Sequence, residues 1–277
     1  MSNNNGEMQI SEAELRAMTA HMVEMHEETF PVMKSSLVDV GSSLRERGAV
    51  IGGSIASRRG FLAGGGMVVG GLLLAACGSS SDSAGAGSGS STAPTDAATS
   101  GSSGSGDKSA LATNASLENL AVFAYGAALK AAPMGKFGKT VPAAVAEFAM
   151  HAMKQHQDHA DAFNAALKAA GGTAFTTPDP ALAGPVTKMF TAVNSVVGLA
   201  QLALTLENTA AATYTKQMGE LTSPQALAAV ATIAPVERQH AAILSFVLGE
   251  YPVPDTFVKL DATPTSLGAR PSTDAGV

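Results

Sequence analysis

Two copies of one glutamate and tyrosine pattern occur in the 277-residue sequence. Residues 117–125 read LENLAVFAY and residues 206–214 read LENTAAATY, so Leu, Glu, Asn, Ala and Tyr recur in register. Each copy holds a glutamate and a tyrosine seven residues apart: Glu118 with Tyr125, and Glu207 with Tyr214. Seven residues are nearly two helical turns, so each pair shares one helix face. The second of these faces also carries small apolar residues, which predicts that a carboxylate points into the protein interior.

A second repeat places a histidine three residues after another potential metal ligand. His156 and His159 form one copy, and Glu237 and His240 form the other. Positions three apart lie on one face of a helix, so each copy directs two potential ligands the same way. An unpaired buried carboxylate costs several kcal/mol, and the expected interior has few lysines or arginines to pair with it. A divalent metal ion is therefore the partner that these residue types favour.

These patterns fall on four long segments with helical periodicity, separated by turn residues. Proline and glycine near residues 133–135 end the first segment, and Gly171 and Gly172 end the second. The connection from Gly172 to Pro185 is longer than the other two. Short, long and short connections are typical of a four-helix bundle with a long crossover between helices 2 and 3. We expect helices at about 112–132, 141–170, 184–218 and 223–248.

Composition agrees with an all-α protein and excludes several other classes. Only 14% of residues are charged and tryptophan is absent, which suits closely packed, alanine-rich helices better than a sheet. A net charge of −6, with Arg58-Arg59 as the one basic pair of note, argues against a nucleic-acid partner. A single cysteine excludes an intramolecular disulfide and a multi-cysteine zinc or iron-sulfur site.

With these motifs in place, residues 112 to 248 resemble the ferritin-like superfamily, which includes rubrerythrins, manganese catalases and exported ferritin-like domain proteins. Members hold two metal ions with one Glu from each of two helices and Glu-x-x-His from each of the others. The matching positions are Glu118, His159, Glu207, Glu237 and His240. The resemblance implies a ferritin-like four-helix bundle, one or two iron or manganese ions, and redox chemistry on peroxide, dioxygen or ferrous iron. It also implies that Tyr125 and Tyr214 lie near the metal, where a tyrosine supplies an electron or a proton.

The sequence departs from this pattern at His156, where the family has a bridging glutamate. Four carboxylates balance two divalent ions, whereas three leave one surplus positive charge in a low-dielectric site. The site must therefore add an anion such as hydroxide, recruit another carboxylate, or hold a single metal ion. Asp158 points about 100° away from His159, and Glu147 lies over two turns before His156, so neither substitutes simply. We expect Glu147 instead to pair with His151 on a solvated face.

Pro235 lies just before the Glu237 motif, and two interpretations of it stay open. It kinks the last helix beside the site and opens a path for substrate, or it marks a late start of that helix. The competing function is a bundle that has lost its metal and serves as an envelope scaffold or interaction module. A homo-oligomer or an envelope protein partner also stays open.

An export signal precedes the bundle. Arg58 and Arg59 are followed by a charge-free, glycine-studded stretch that ends Leu-Ala-Ala before Cys77, which looks like a twin-arginine signal peptide with a bacterial lipobox. About 16 residues with many glycines make a permanent transmembrane span the weaker interpretation. Cys77 would be lipidated and would anchor the protein to the outer face of the cell membrane. A chance arginine pair and a buried cysteine are the structural alternative.

These observations divide the chain into five parts. They are an N-terminal leader extension (1–56), the twin-arginine signal with its lipobox (57–77), a Ser/Gly-rich linker (78–108), the bundle (109–250) and an extended C-terminal tail (251–277). The extension has an amphipathic, glutamate-rich stretch, and either translation begins at Met33 or a short cytoplasmic helix is made and lost on processing. His21 and His26 lie in the extension, so we exclude them from any site.

Overall fold

The computed structural model describes residues 8–55, 103–254 and 257–276, and this part of the chain contains helices and no strand. The all-α prediction is confirmed. The predicted export signal with Arg58, Arg59 and Cys77 lies outside the described residues, as does most of the linker. The helices are α1 (Glu12–Ile55), α2 (Ser103–Ala131), α3 (Ala143–Ala169), α4 (Ala183–Ala192), α5 (Val196–Met218) and α6 (Pro224–Leu248), and a single 3-10 turn (Ala132–Met134) follows α2.

Helices α2, α3, α5 and α6 form the four-helix bundle. Helix α2 packs on α3, α5 packs on α6, and α2 also contacts α5. Short connections join α2 to α3 and α5 to α6, whereas residues 170–195 form the long crossover. The prediction of one helix over 184–218 is wrong, because Val193 is extended and Ser195 begins a new helix by accepting a hydrogen bond from Gly198 N (3.1 Å). Helix α6 continues through Pro235, so the late-start interpretation is also wrong.

Side chains from the bundle hold the crossover in place. Asn164 donates to the carbonyl of Phe175 (2.9 Å) and accepts from its amide (2.7 Å). The buried carboxylate of Asp179 accepts from the Ser116 hydroxyl (2.9 Å) and from the amide of Leu182 (3.0 Å), at the start of α4. Two points of the crossover are therefore tied to α3 and α2.

Helix α1 is a fifth long helix, packed against α3 and α6. It begins with a capping box, in which Ser11 and Glu14 exchange hydrogen bonds, and it continues through Pro31. Its apolar stripe enters both large core clusters of the protein: Leu15 and Met22 pack with Phe148 and Leu244, whereas Leu37 and Leu44 pack with Phe163 and Ile233. The sequence indicated only a short amphipathic stretch here, without a structural role.

The C-terminal tail has no helix in its described residues and packs back on the bundle. The amide of Leu267 donates to Thr209 (2.9 Å), the amide of Arg270 donates to Thr213 (3.0 Å), and the carbonyl of Ser272 accepts from Thr113 (2.8 Å). These bonds fasten the tail across α2 and α5. Within the part of the chain that the structure describes, no helix has both the length and the apolar character needed to cross a membrane.

We predict that Asn164→Ala lowers the free energy of unfolding by about 1–3 kcal/mol, because the variant leaves the amide of Phe175 without its partner, while the carbonyl keeps only the hydrogen bond from Asn119. Urea denaturation followed by circular dichroism measures this change. Lys168→Ala, an exposed position on the same helix, is the control and should change stability by less than about 0.5 kcal/mol. Equal stability of both variants would show that the crossover is not held by Asn164.

Candidate metal centre

The four bundle helices bring all six predicted ligands together in the protein interior. Each of the six is at most 1% exposed. Helix α2 contributes Glu118, α3 contributes His156 and His159, α5 contributes Glu207, and α6 contributes Glu237 and His240. The two sequence repeats therefore converge on one place, because each directs its polar side chains to the buried face of its helix.

Donor atoms of these residues form two overlapping groups. One group contains Glu118, His156, His159 and Glu237, and the other contains His156, Glu207, Glu237 and His240. Within each group, the potential ligand atoms all lie within 4.8 Å of one another. His156 and Glu237 belong to both groups, so the centre has two related halves that share two side chains.

The two predicted tyrosines hydrogen-bond to the carboxylates of the opposite repeat. Tyr125 on α2 donates to Glu207 on α5 (2.6 Å), and Tyr214 on α5 donates to Glu118 on α2. This exchange requires α2 and α5 to run antiparallel, because the early residue of each motif meets the late residue of the other. Burial and the facing carboxylate raise the pKa of both phenols well above the ordinary value, so both are neutral donors.

His156 lies between three carboxylates. Its Nδ1 is 2.8 Å from Glu118 Oε2 and 3.8 Å from Glu237 Oε2, and its Nε2 is 3.2 Å from Glu207 Oε1. Burial acts to lower the pKa of this imidazole, but the surrounding carboxylates, Glu207 first, outweigh burial and raise the pKa well above its ordinary value. His156 is therefore a buried cation at the position where the family pattern has a glutamate.

Glu237 and His159 face each other with unpartnered donor atoms. Both oxygens of Glu237 and the Nδ1 of His159 are buried without a hydrogen bond. Nδ1 of His159 is 3.6 Å from Glu237 Oε1 and 3.5 Å from Glu118 Oε1. Burial, followed by the charge of Glu118, raises the pKa of Glu237 to about 8. Burial opposes protonation of His159, but Glu118 and Glu237 outweigh it and raise the pKa to about 9.

The other two glutamates are ionised. Burial acts to raise the pKa of Glu118, but His159 and His156 outweigh it and lower the pKa to about 2. Burial opposes ionisation of Glu207 too, yet the charge of His156 outweighs burial and lowers the pKa of Glu207 well below the ordinary value. Burial lowers the pKa of His240, so this imidazole is neutral. Without a metal ion at neutral pH, two carboxylates are thus balanced by two imidazoliums.

Two residues near the centre were missed by the sequence analysis. Gln155 accepts a hydrogen bond from His240 Nε2 (2.7 Å) and donates to the carbonyl of Met22 on α1 (3.4 Å). The ring of His26, also on α1, is 5.3 Å from the ring of His159, although His26 belongs to neither group of donor atoms. Its position could have been found from the heptad-like spacing of Leu15, Met22, His26, Met33 and Leu37, which marks the buried face of one long helix.

The spare carboxylates considered from the sequence lie outside this cluster. Asp158 forms an ion pair with Lys154 (2.6 Å), one helical turn away. Glu147 forms an ion pair with Arg16 of α1 (2.9 Å), so the predicted pairing of Glu147 with His151 is wrong. Arg16 could not be foreseen as the partner, because the apolar spacing of α1 indicates a buried face but not the helix against which that face packs.

We predict that metal affinity rises steeply with pH. Glu237 and His159 both carry a proton below pH about 8, and each must lose it before its donor atom can coordinate an ion. The apparent Kd should therefore fall by about 100-fold per pH unit below pH 8, by about tenfold per unit between 8 and 9, and little above 9. Competition with a chelator of known pH dependence measures this. A Kd that does not change with pH would contradict the protonation states described above.

Comparison with known proteins agrees with the geometry of the centre. The family model for a ferritin-like domain matches residues 106–250, just over half of the chain. Among curated proteins and among solved structures, nothing matches. The matched segment begins in α2 and ends just after α6, and it includes all six residues of the buried cluster. The chain therefore belongs to the ferritin-like domain family.

Proposed function

We propose that this protein binds one iron or manganese ion in its bundle and is a lipid-anchored redox protein of the cell envelope. The observation that carries the metal proposal is Glu237, a fully buried carboxylate whose two oxygens have no hydrogen-bond partner. An ionised carboxylate that is buried without a hydrogen bond costs several kcal/mol, so Glu237 keeps its proton in the metal-free protein, and a bound cation would stabilise its ionised form. The nearest unpartnered donor is the Nδ1 of His159, on the facing helix.

The donor set fits iron or manganese. Carboxylate oxygens and imidazole nitrogens suit both metals in their divalent state, and the described cluster contains no sulfur ligand that would favour a softer ion. Two donor atoms that bind one such ion at about 2.1 Å are about 3–3.5 Å apart. The separations of 3.5 Å and 3.6 Å from His159 to Glu118 and to Glu237 are close to this value. Glu118, His159 and Glu237 would hold the ion.

Charge balance favours one ion rather than two. Three carboxylates carry three negative charges, and one divalent ion together with protonated His156 supplies three positive charges. His156 also spans Glu118 and Glu207 through its two ring nitrogens, so it takes the place of the bridging carboxylate that a second ion would use. Of the three solutions left open by the sequence, the structure favours a single metal ion.

A bound iron or manganese ion supplies one-electron chemistry with dioxygen, peroxide or ferrous iron. The chain's own residues hold the ligands in place and exclude bulk water. Tyr214 donates to Glu118, Gln155 fixes the orientation of His240, and Tyr125 holds Glu207. Because the ligands are almost completely buried, we propose small substrates: peroxide, dioxygen or ferrous ions. Tyr214, which contacts a ligand carboxylate, is the better placed tyrosine to pass a proton or an electron to the centre.

Metal analysis of four forms of the full chain, the wild type and three variants, tests this proposal. After loading with iron or manganese and removal of excess ion, we expect about one ion per wild-type chain and a loss of at least about tenfold in bound metal for Glu237→Gln. We expect about two ions per chain for His156→Glu, because this substitution restores the fourth carboxylate and the Glu-x-x-His pattern. Gln157→Glu adds a carboxylate one residue away, at a partly exposed position, and should stay at one ion.

The outcomes separate the competing functions. Two ions in the wild type would contradict the charge-balance argument but keep metal binding. Equal and negligible metal in the wild type and in Glu237→Gln would overturn metal binding and would favour the metal-free envelope scaffold. The Glu237→Gln variant is a fair test of ligand loss because it keeps the volume of the side chain.

Export and anchoring rest on the sequence alone. The order of Arg58-Arg59, a charge-free apolar stretch and small residues before Cys77 supports a twin-arginine signal and lipidation. Twin-arginine export is a route for proteins that fold before they cross the membrane. A buried centre that closes on folding suits this route, because the metal ion can be acquired before export.

We predict that Cys77→Ser releases the processed protein from the membrane, because the substitution removes the thiol that would carry the lipid. Fractionation of cells that express the full chain, with detection of residues 103–277, measures the membrane-bound share. Ser79→Ala is the matched control and should stay membrane-bound. An Arg58→Lys and Arg59→Lys double variant should remain unprocessed inside the cell. Membrane association that is unchanged in Cys77→Ser would argue against the lipid anchor.

A further inference from the structure

Helix α1 lies outside the segment that matches the ferritin-like domain, yet it contacts the metal centre on two sides. The bundle helices α3 and α6 supply four of the six candidate ligands, and α1 packs against both of them. The family fold therefore does not account for this helix.

One contact reaches the centre through Gln155. Its side-chain amide donates to the carbonyl of Met22 in α1, and its oxygen accepts from Nε2 of His240. Gln155 is only 3% exposed, so both of its bonds lie in the interior. Since a hydrogen bond to one ring nitrogen sets the orientation of a buried imidazole, α1 takes part, through Gln155, in holding His240.

The other contact covers His159. The rings of His26 and Phe30 stack at 4.8 Å, and they lie 5.3 Å and 6.0 Å from the ring of His159. The Nε2 of His26 is buried without a hydrogen-bond partner. A groove of about 650 Å³ between α1 and α6 is lined by His26, Phe30, His159, Thr232 and Pro235. The stacked rings therefore lie where this groove meets the centre.

Close packing holds α1 at both ends of this contact region. Near its start, the amide of Gln9 donates to the carbonyl of Val247 at the end of α6 (2.9 Å). Further along, Gly41 touches α3 so closely that a Cβ atom there would overlap the carbonyl oxygen of Ala166 and lie 2.5 Å from the Cβ of Ala169. Any larger residue at position 41 must push the two helices apart, because the obstructing carbonyl belongs to the backbone.

We infer that α1 covers the metal centre on the side between α3 and α6. When α1 is displaced, solutes reach His159 along the groove beside His26. In the closed form, with α1 in place, peroxide and chelators reach the centre more slowly than when α1 is displaced. Closure itself follows from the contacts above, whereas its role in metal retention rests on the proposed function.

Because α1 precedes Cys77 in the chain, proteolytic processing at Cys77 would remove this cover. Helix α1 ends before Cys77, and processing at Cys77, itself part of the proposed function, would separate α1 from the bundle. The precursor would then be the closed form and the processed protein the open form. A redox centre would stay shielded until the protein reaches the envelope, where its substrates are.

The first test needs no metal. Diethylpyrocarbonate modifies accessible imidazoles, and peptide mapping by mass spectrometry reports the rate at each histidine of the full chain. We expect Gly41→Leu to raise the rates at His159 and His240 by at least about tenfold. Gly184→Leu, where a Cβ would meet no atom within 4 Å, is the matched control and should leave both rates unchanged. Hydrogen exchange over residues 12–47 shows whether α1 has been displaced.

A second pair of variants covers the case in which Gly41→Leu does not fold or does not release α1. His26→Ala removes one of the stacked rings and should raise the rate at His159 by about tenfold, whereas His21→Ala, an exposed histidine on the same helix, should not. Rates at His159 that equal those of the wild type in His26→Ala, or in Gly41→Leu with α1 released, overturn the inference.

The metal-loaded chain separates this inference from the proposed function. With iron or manganese bound, Gly41→Leu or His26→Ala should release the ion to a chelator at least about tenfold faster than their controls, with the same stoichiometry as the wild type. A wild-type chain that binds no metal but shows the expected imidazole rates would overturn the proposed function and keep the closure. A wild-type chain that binds metal, with release rates that are equal in all variants, would keep the proposed function and overturn the role of α1 in closure.

Discussion

The structure depends on one constraint: three carboxylates lie in a part of the protein that excludes water. Ionised Glu118 and Glu207 must be compensated within a few ångströms, because the apolar helix faces around them cannot solvate charge. Two neutral phenols donate to these carboxylates, and His156 spans them. Glu237 is the carboxylate whose oxygens have no hydrogen bond, and the proposed cation site rests on it.

The two sequence repeats make the centre nearly symmetric, and the departure from this symmetry at His156 changes its charge. Each repeat places a glutamate and a tyrosine on one face, and the antiparallel arrangement of α2 and α5 pairs the tyrosine of one with the glutamate of the other. Helices α3 and α6 do not follow this symmetry, because α3 has His156 at the position where α6 has Glu237. A cation in that position changes the charge of the whole centre, and the proposal of a single ion rests on this change.

Helix α1 links the site to the rest of the chain. A four-helix bundle that holds polar ligands on α3 and α6 exposes the edge between these helices unless another element covers it. Here the cover is an N-terminal helix whose apolar stripe completes both large core clusters. The carbonyl of its Met22 accepts from Gln155, and the ring of its His26 lies 5.3 Å from the ring of His159. The burial of the centre therefore depends on the packing of α1 against α3 and α6.

The sequence by itself determines the helices of this protein and which residues share a helix face. Helical periodicity decides which residues share a face, so the spacing of Glu118 with Tyr125 and of Glu237 with His240 is enough to place these pairs on buried faces. Helical periodicity predicted the all-α fold, and the connection lengths predicted its long crossover. The observed order of helices agrees with both. The break at residues 193–195 was missed because the apolar pattern continues across it, and only the Ser195 cap reveals it.

The tertiary structure alone decided how the helices meet. The exchange of tyrosines between repeats, the position of His156 between three glutamates, the pairing of Glu147 with Arg16 and the contact of His26 with His159 all depend on the register between helices far apart in sequence. Spacing along one helix contains no information on that register, because it is set by how side chains of different helices fill the shared interior.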